Sequence, residues 1–159
     1  MMSSAAETTE QRATVERSSW QAGVVGGIVG AAVMAGLILA MNRATLAVAI
    51  PSLYSLVPPP NLAGGLFVHI SHGAVLGVIF AAGVGAVGAT STGTRVALGA
   101  AWGVVVWVLF AVLLMPAWLS VVGSPASPPL PNFAPPSLLW HLAYGLTLGL
   151  AYDAVTDTL

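Results

Sequence analysis

The chain has 159 residues, of which 57% are hydrophobic and only 6% are charged. Soluble domains carry about 25% charged residues because their surfaces face water, so this composition excludes a soluble globular protein and indicates one domain in a lipid bilayer. The net charge is −1 and cysteine is absent, which excludes a basic surface for nucleic acid, disulfide bonds and thiolate metal sites.

The N-terminal stretch differs in composition from everything that follows it. Residues 1–17 are rich in Ser, Thr, Ala and Glu, hold most of the charged residues, and show no apolar periodicity. Such a segment has too little apolar surface to drive its own folding. We therefore predict a disordered polar tail over 1–17 and a single four-helix transmembrane domain over 18–159.

Four apolar segments follow, each close to the ~20 residues that a helix needs to cross a bilayer. They predict an all-α membrane protein with spans at 20–41, 65–88, 95–115 and 137–156. The first and second spans are joined by a proline-rich connection, residues 51–64, and the third and fourth by another, residues 120–136. Proline cannot continue a helix or the centre of a strand, so both connections are predicted to be loops.

One pattern occurs in both the second and the fourth predicted spans. Residues 69–80 read HISHGAVLGVIF and residues 141–152 read HLAYGLTLGLAY, so both follow His-x-x-x-Gly-x-x-Leu-Gly-x-x-aromatic. The matched positions are His69, Gly73, Leu76, Gly77 and Phe80 in one copy and His141, Gly145, Leu148, Gly149 and Tyr152 in the other. Identical spacing in two apolar segments indicates an internal duplication.

The duplication extends to the connections, where Pro51 and Asn61 correspond to Pro116 and Asn132. The first repeat covers about 20–88 and the second about 95–157. Each repeat has two spans, so both copies have the same orientation. We predict two tandem helix hairpins related by a pseudo-two-fold axis along the membrane normal.

Glycines in the repeats predict where the helices touch. Residues four apart lie on one face of a helix, so each histidine shares a stripe with two glycines of its own span. Glycine lets neighbouring backbones approach closely inside a membrane. The predicted packing glycines are Gly73, Gly77, Gly145 and Gly149 in the two patterns, Gly99 and Gly103 in the third span, and the overlapping pairs Gly23/Gly27 and Gly26/Gly30 in the first.

Three hypotheses remain open for His69, His72 and His141, which are the candidate functional or packing polar residues. In the first, the imidazoles of His69 and His141 hydrogen-bond neighbouring helices and fix their packing. In the second, they are paired axial ligands of a haem or the ligands of a two-coordinate metal site. In the third, the three histidines form a proton relay or substrate contact in a small carrier. His72 is the weaker candidate because Tyr144 stands at the matching position.

No catalytic arrangement is found in the sequence. There is no Ser/His/Asp set, phosphate loop or metalloprotease motif, and the carboxylates lie only in the two tails. We expect no enzymatic activity, no catalytic or metal-binding residues and no bound cofactor, haem being the one alternative. The leading hypothesis is a non-catalytic structural or accessory membrane subunit; the alternatives are a small carrier or channel with His69 and His141 at its outer vestibule, and a bis-histidine haem-binding electron carrier.

Three stretches resemble a known group of proteins: HISHGAVLGVIF, RVALGAAWGVVVWVLFAVLLMP and PSLLWHLAYGLTLGLAYD. They look like the small four-span membrane proteins of unknown function found in archaea and bacteria, which are similar to the YagU-like inner-membrane proteins. The resemblance covers residues 20–156. It implies the fold and a membrane location, and it implies no mechanism because that group has no established activity.

The basic residues predict the orientation in the membrane. With the N-terminus inside, Arg12, Arg17 and Arg95 face the cytoplasm and only Arg43 faces outward, as the excess of basic residues on cytoplasmic loops requires. We therefore expect a multi-pass protein of the inner or plasma membrane with both termini cytoplasmic. Its expected partners are the lipid bilayer and either further copies of itself or another membrane protein.

Overall fold

The computed structural model describes the backbone of residues 2–159 and the side chains of residues 19–159. This part of the chain is helical, and no β-strand is found in it. The helices are α1 (Met2–Met41), a π-helical segment π1 (Thr45–Ala49), α2 (Ile50–Ser52), α3 (Leu62–Val87), α4 (Thr92–Val106), a second π-helical segment π2 (Trp107–Leu114), α5 (Met115–Val121) and α6 (Pro135–Thr156).

Among the residues that the structure describes, three helical stretches are long and apolar enough to cross a membrane: Ser19–Met41, Leu62–Val87 and Thr92–Val121. The last of these is the continuous run of α4, π2 and α5. They correspond to the first three predicted spans, at 20–41, 65–88 and 95–115, and the second ends at Val87, one residue before its predicted end. The fourth predicted span, 137–156, is helical as expected, but α6 also carries a histidine, two tyrosines and an aspartate, which make it less apolar than the others.

The backbone is helical from Met2, which differs from the disordered tail predicted over residues 1–17. That stretch contains Ala, Glu, Gln and Arg, which have high intrinsic helix propensity, and this is the physical reason that α1 extends into it. The side chains of residues 1–18 lie outside the described part of the structure. The division of the chain at residue 18 therefore stays a prediction.

A proline follows each π-helical segment at the same place in the two halves. Because proline has no N–H, the carbonyl four residues before it loses its usual helical donor. In both halves the asparagine of the following loop supplies a replacement from its backbone. The bonds run from Asn61 N–H to Ala47 O at 2.8 Å and from Asn132 N–H to Val112 O at 3.0 Å. The predicted correspondence of Pro51/Asn61 with Pro116/Asn132 is thus a repeated hydrogen bond that folds each loop back on its helix.

The long helices pack in the order α3, α1, α6, α4. Helix α1 lies between α3 and α6, and α6 lies between α1 and α4. Helices α3 and α4 are consecutive in the chain but have little contact with each other. The main core is therefore centred on α1 and α6, and includes Ile38 of α1 and Leu148 of α6, which are completely buried.

Only one of the two loop asparagines also caps a helix. The Asn61 side chain accepts a hydrogen bond from the N–H of Gly64 at 2.8 Å at the start of α3. Helix α6 has Ala134 at the equivalent position and no side-chain cap. We expect Asn61→Ala to lower the free energy of unfolding by about 1 kcal/mol, because one N–H at the helix start loses its acceptor.

Asn132→Ala is the matched control for this prediction, since its backbone bond to Val112 survives the substitution. We expect it to change the free energy of unfolding much less than Asn61→Ala does. Denaturant titration in mild detergent, followed by circular dichroism, measures both variants. Equal losses would show that the side-chain cap at Asn61 does not contribute to the free energy of unfolding.

Candidate functional site

The stripe below His69 is a direct contact between the backbones of α3 and α1. A Cβ added to Gly73 would overlap the side chain of Ala31 and lie 2.8 Å from the carbonyl oxygen of Gly27. A Cβ added to Gly77 would overlap the Gly23 carbonyl and lie 2.9 Å from Gly27 Cα. Real Cβ atoms do not come so close to a backbone, so α3 can hold this distance from α1 only with glycine at these positions.

The stripe below His141 makes the same kind of contact between α6 and α4. A Cβ added to Gly145 would lie 3.0 Å from Gly103 Cα and overlap the Gly99 carbonyl, and one added to Gly149 would lie 2.8 Å from the carbonyl oxygen of Arg95. All six glycines predicted from the patterns and the third span therefore lie at two matching helix contacts. Gly99 approaches Gly145 and Gly149 as Gly27 approaches Gly73 and Gly77, which makes Gly27 and Gly99 equivalent.

The overlapping glycine pairs of α1 serve two different neighbours. Gly23 and Gly27 face α3, as described above. Gly26 and Gly30 face α6: added Cβ atoms there would lie 3.0 Å from the Leu148 carbonyl oxygen and 2.8 Å from the Tyr144 carbonyl oxygen, respectively. A single helix with glycine on two faces can be enclosed closely on both sides, which explains the central place of α1.

The second half lacks this second glycine face. Since Gly27 is equivalent to Gly99, the positions equivalent to Gly26 and Gly30 are Leu98 and Trp102 in α4. Bulky side chains there keep α4 from packing on α3 in the way that α1 packs on α6. The helices within each hairpin thus pack in the same way, while the contact between the hairpins is made mainly by α1 with α6.

The two histidines are equally buried but have different partners. His69 is 9% exposed, and its Nε2–H donates to the carbonyl oxygen of Ala31 on α1 at 3.1 Å. His141 is also 9% exposed, and its Nδ1–H donates to the carbonyl oxygen of Ser137, one turn earlier on its own helix, at 2.6 Å. His69 therefore joins two helices, and His141 is bonded within α6.

His72 lies at the protein surface near His69. A hydrogen bond of 2.7 Å joins its Nε2 to the hydroxyl of Tyr54, and the two rings lie 5.8 Å apart. His72 and His141 are both near enough to His69 for a charge on either ring to act on it. The structure thus brings the three predicted histidines into one neighbourhood, with only His72 open to the outside.

Tyr144 is a polar contact that sequence reasoning did not single out. It stands where His72 stands in the other repeat, and its hydroxyl donates to the carbonyl oxygen of Gly73 on α3 at 3.1 Å. This bond joins α6 to α3 across α1. Trp102 lies beside Tyr144, and its buried Nε1–H has no acceptor among the residues that the structure describes. The mismatch of Tyr144 with His72 in the repeat was the one feature of the sequence that pointed to it.

An ion pair holds the end of the bundle opposite the proline-rich loops. Arg95 Nη1 donates to Asp153 at 2.8 Å, and the Thr92 hydroxyl donates to the other carboxylate oxygen at 2.8 Å. The Arg95 guanidinium also lies 5.7 Å from the ring centre of Tyr152. Phe80 and Tyr152, the aromatic residues that end the two patterns, meet edge to face at 5.6 Å. The two halves are therefore tied together at this end as well.

The chemistry open to these groups is limited. No group of three or more His, Asp or Glu side chains that could hold a metal ion is found in the described residues. Paired axial ligation of a haem would need both imidazoles to face a common gap as wide as the macrocycle. Instead, the donating nitrogen of His69 is directed to α1, and glycine-to-glycine contact lies one helical turn from each histidine.

A family model matches residues 18–158 of this chain. The chain belongs to a family of unknown function (DUF6789). The DUF6789 match covers α1 from residue 18 through α6, so both helix hairpins lie within it. Comparison with curated proteins and with solved structures found no match. Because the function of this family is unknown, membership assigns no activity to the chain. The likeness to YagU-like proteins stays a prediction.

The glycine contact in this DUF6789 protein gives a direct test of the packing. We expect Gly73→Ala to lower the free energy of unfolding by about 1–3 kcal/mol, because the added methyl group meets the backbone of α1. Gly85→Ala in the same helix is the control, since nothing lies within 4 Å of an added Cβ there, and alanine has the higher helix propensity. Unfolding in mild detergent measures both, and equal stability of the two variants would contradict the close contact.

Proposed function

We propose that this protein is a four-span integral membrane protein in which α6 is the fourth span. At 22 residues α6 is about 33 Å long, which matches the ~30 Å hydrocarbon core of a bilayer. Its polar residues point mainly inward: His141, Tyr144 and Tyr152 are buried, while Leu139, Leu146 and Leu150 are exposed. An apolar outer face with polar groups turned inward is what lipid requires of a spanning helix.

The two hairpins are related by a pseudo-two-fold axis along the membrane normal. The symmetry is imperfect because Leu98 and Trp102 stand where the first hairpin has Gly26 and Gly30. The outer segments of the two halves support this relation because they meet each other. Trp118 Nε1 donates to the Leu53 carbonyl oxygen at 3.1 Å, and the Ser124 hydroxyl donates to that of Ser52 at 2.9 Å. The equivalent aromatic residues Phe80 and Tyr152 meet at the opposite end.

Both termini lie in the cytoplasm, and the protein is in the inner or plasma membrane. The turn between α3 and α4 carries Arg95, which then faces the cytoplasm with Arg12 and Arg17, while the exposed Arg43 lies on the outer side. Trp20 and Trp118, both about half exposed, then lie at opposite interfaces, where tryptophan is common.

Within the membrane the protein serves as a non-catalytic structural or accessory subunit. One observation carries this proposal: the buried polar groups are used to hold helices together. His69 is bonded to α1 and Tyr144 to α3, and the glycine stripes place backbone against backbone. A carrier would need an open path beside the histidines, and a haem protein would need a gap between them. Close helix contact beside both rings favours neither.

A partner for such a subunit would approach the exposed side of α1. Ala32, Gly36 and Ala40 are exposed at four-residue spacing, and nothing lies within 4 Å of a Cβ added to Gly36. Small residues in this arrangement let a second transmembrane helix come close. Further copies of this chain or another membrane protein are the partners proposed.

The role of His69 is tested by its removal. We expect His69→Phe to lower the free energy of unfolding by about 1 kcal/mol, the usual value of a hydrogen bond between membrane helices. His72→Phe is the control and should cost less, because the hydrogen bond that His72 makes to Tyr54 is exposed whereas that of His69 is buried. Unfolding in mild detergent measures the loss. Affinity purification from native membranes, with absorption spectra, provides the second readout.

The haem alternative makes the opposite prediction in the same preparation. If the wild-type protein shows a Soret band that disappears in His69→Phe, His69 binds haem and the proposed structural role is wrong. The structural role predicts a colourless protein that co-purifies with further copies of itself or a partner. If the wild-type protein is a colourless monomer and His69→Phe is equally stable, both the structural role and the haem alternative are contradicted.

The fourth span is tested by single cysteines, since the chain has none of its own. In intact cells, a membrane-impermeant maleimide should label Ser127→Cys in the outer loop. It should label Thr90→Cys in the turn and Thr158→Cys at the C-terminus only after permeabilisation. Labelling of Thr158→Cys from outside, with Thr90→Cys still protected, would show that α6 does not cross the membrane. If Thr90→Cys and Thr158→Cys are labelled in intact cells and Ser127→Cys is not, the orientation is opposite to the one proposed.

A further inference from the structure

Helix α6 repeats the sequence pattern of α3 but is less apolar than α3. Among the residues that the structure describes, Leu62–Val87 is apolar enough to cross a membrane, whereas α6 does not reach that level. The largest differences are at four positions: Trp140, Thr147, Tyr152 and Asp153 stand where α3 has Val68, Val75, Phe80 and Ala81. The hydropathy of α6 by itself therefore falls short of what a spanning helix usually has.

The polar side chains of α6 have partners on each of the other three long helices. Tyr144 needs its partner most, because it lies about 14 Å from the nearer end of α6. At that depth an unpaired hydroxyl would lose water without gaining a hydrogen bond. The three bonds run from Trp140 Nε1 to Met41 Sδ of α1 at 3.1 Å, from Tyr144 Oη to Gly73 O of α3 at 3.1 Å, and from Arg95 Nη1 of α4 to Asp153 Oδ1 at 2.8 Å.

Helices α1 and α4 also enclose α6 closely from two sides. Cβ atoms added to Gly26 and Gly30 of α1 would lie 3.0 Å and 2.8 Å from backbone oxygens of α6, and one added to Gly103 of α4 would overlap another. Leu148 of α6 is completely buried as a result. Packing and hydrogen bonds are the interactions that hold helices together inside a membrane, and α6 has both with its neighbours.

We propose that α6 crosses the membrane only because the other helices hold it there. A sufficiently apolar helix remains in a bilayer through its own hydropathy. Where hydropathy falls short, as in α6, contact with helices already in the membrane supplies the remaining free energy. The first three spans thus form a frame, and α6 is a span that depends on this frame. This inference rests on the proposed four-span arrangement.

The dependence belongs to the second half of the chain and not to the repeated pattern. Helix α3 carries the same pattern, but it is apolar enough to cross a membrane and exposes Phe67, Val75 and Ile79. Contact with α1 positions α3 but is not needed to keep it in the bilayer. When the contacts of α6 are broken, only the C-terminus should therefore change sides of the membrane.

The test uses the full-length chain with the single cysteine Thr90→Cys or Thr158→Cys, labelled in intact cells with a membrane-impermeant maleimide. Labelling after permeabilisation gives the total amount of each protein, so the ratio is independent of expression. Gly26→Leu/Gly30→Leu fills the face of α1 that α6 covers and makes α1 itself more apolar. We expect labelling of Thr158→Cys in intact cells to rise several-fold, while Thr90→Cys stays protected.

Ala32→Leu/Gly36→Leu is the matched control for these substitutions. It adds the same side chains to the same helix, but on its exposed face, where nothing lies within 4 Å of a Cβ added to Gly36. Because α6 does not cover that face, we expect Thr158→Cys to stay as protected as it is without the leucines.

A rescue distinguishes low hydropathy of α6 from general misfolding. His141→Leu and Thr147→Leu are added to the Gly26→Leu/Gly30→Leu chain. The printed bond of His141 lies within α6, so these changes make α6 more apolar without removing a bond to another helix. We expect protection of Thr158→Cys to return, because α6 then remains in the bilayer through its own hydropathy.

Three results would overturn the inference: protection of Thr158→Cys in Gly26→Leu/Gly30→Leu, equal labelling in the matched control, or no recovery in the rescue. The first would show that α6 stays in the membrane without this contact. The second would show that contact with α6 is not the cause, and the third that hydropathy is not what limits α6. Failure of the four-span arrangement looks different, since Thr158→Cys would then be labelled from outside without any leucine substitution.

Discussion

The structure depends on the close approach of backbones at glycine. Inside lipid there is no hydrophobic force to press helices together, so packing and interhelical hydrogen bonds must hold them. Helix α1 meets this requirement on two sides, with Gly23 and Gly27 against α3 and with Gly26 and Gly30 against α6. The two main hydrogen bonds across helices depend on the same approach. His69 reaches the Ala31 carbonyl, and Tyr144 reaches the Gly73 carbonyl, only because the backbones lie so near.

The two halves differ at the positions where the second would need glycine for the same double contact. Leu98 and Trp102 stand at the places of Gly26 and Gly30, so α4 packs on α6 but not on α3. The outer face of the second π-helical segment is also more exposed than that of the first: Leu114 is about half exposed, whereas Ala49, at the same distance from its proline, is buried. The centre of the bundle is therefore formed by α1 of one half and α6 of the other.

Much of the candidate site followed from residue spacing, and some of it did not. The stripes of His69 and His141 were predictable because positions four apart share a helix face, whatever the helix contacts. Which carbonyl each imidazole binds was not predictable, since His141 turns back to Ser137 on its own helix while His69 reaches α1. The ion pair of Arg95 with Asp153 was missed for a similar reason. It joins residues from two helices whose relative rotation no local pattern contains.

The sequence by itself predicted an all-helical membrane protein, because composition and the length of apolar segments are local properties of the chain. It also matched Pro51/Asn61 with Pro116/Asn132, and only the structure showed that each loop folds back on its helix at these positions. Only the tertiary structure decided that α1 and α6 are central, and that Tyr144 bonds to another long helix whereas its counterpart His72 bonds to Tyr54. These outcomes depend on which helix faces, with small or bulky side chains, contact each other. That choice depends on the packing of all the helices together and not on any one segment.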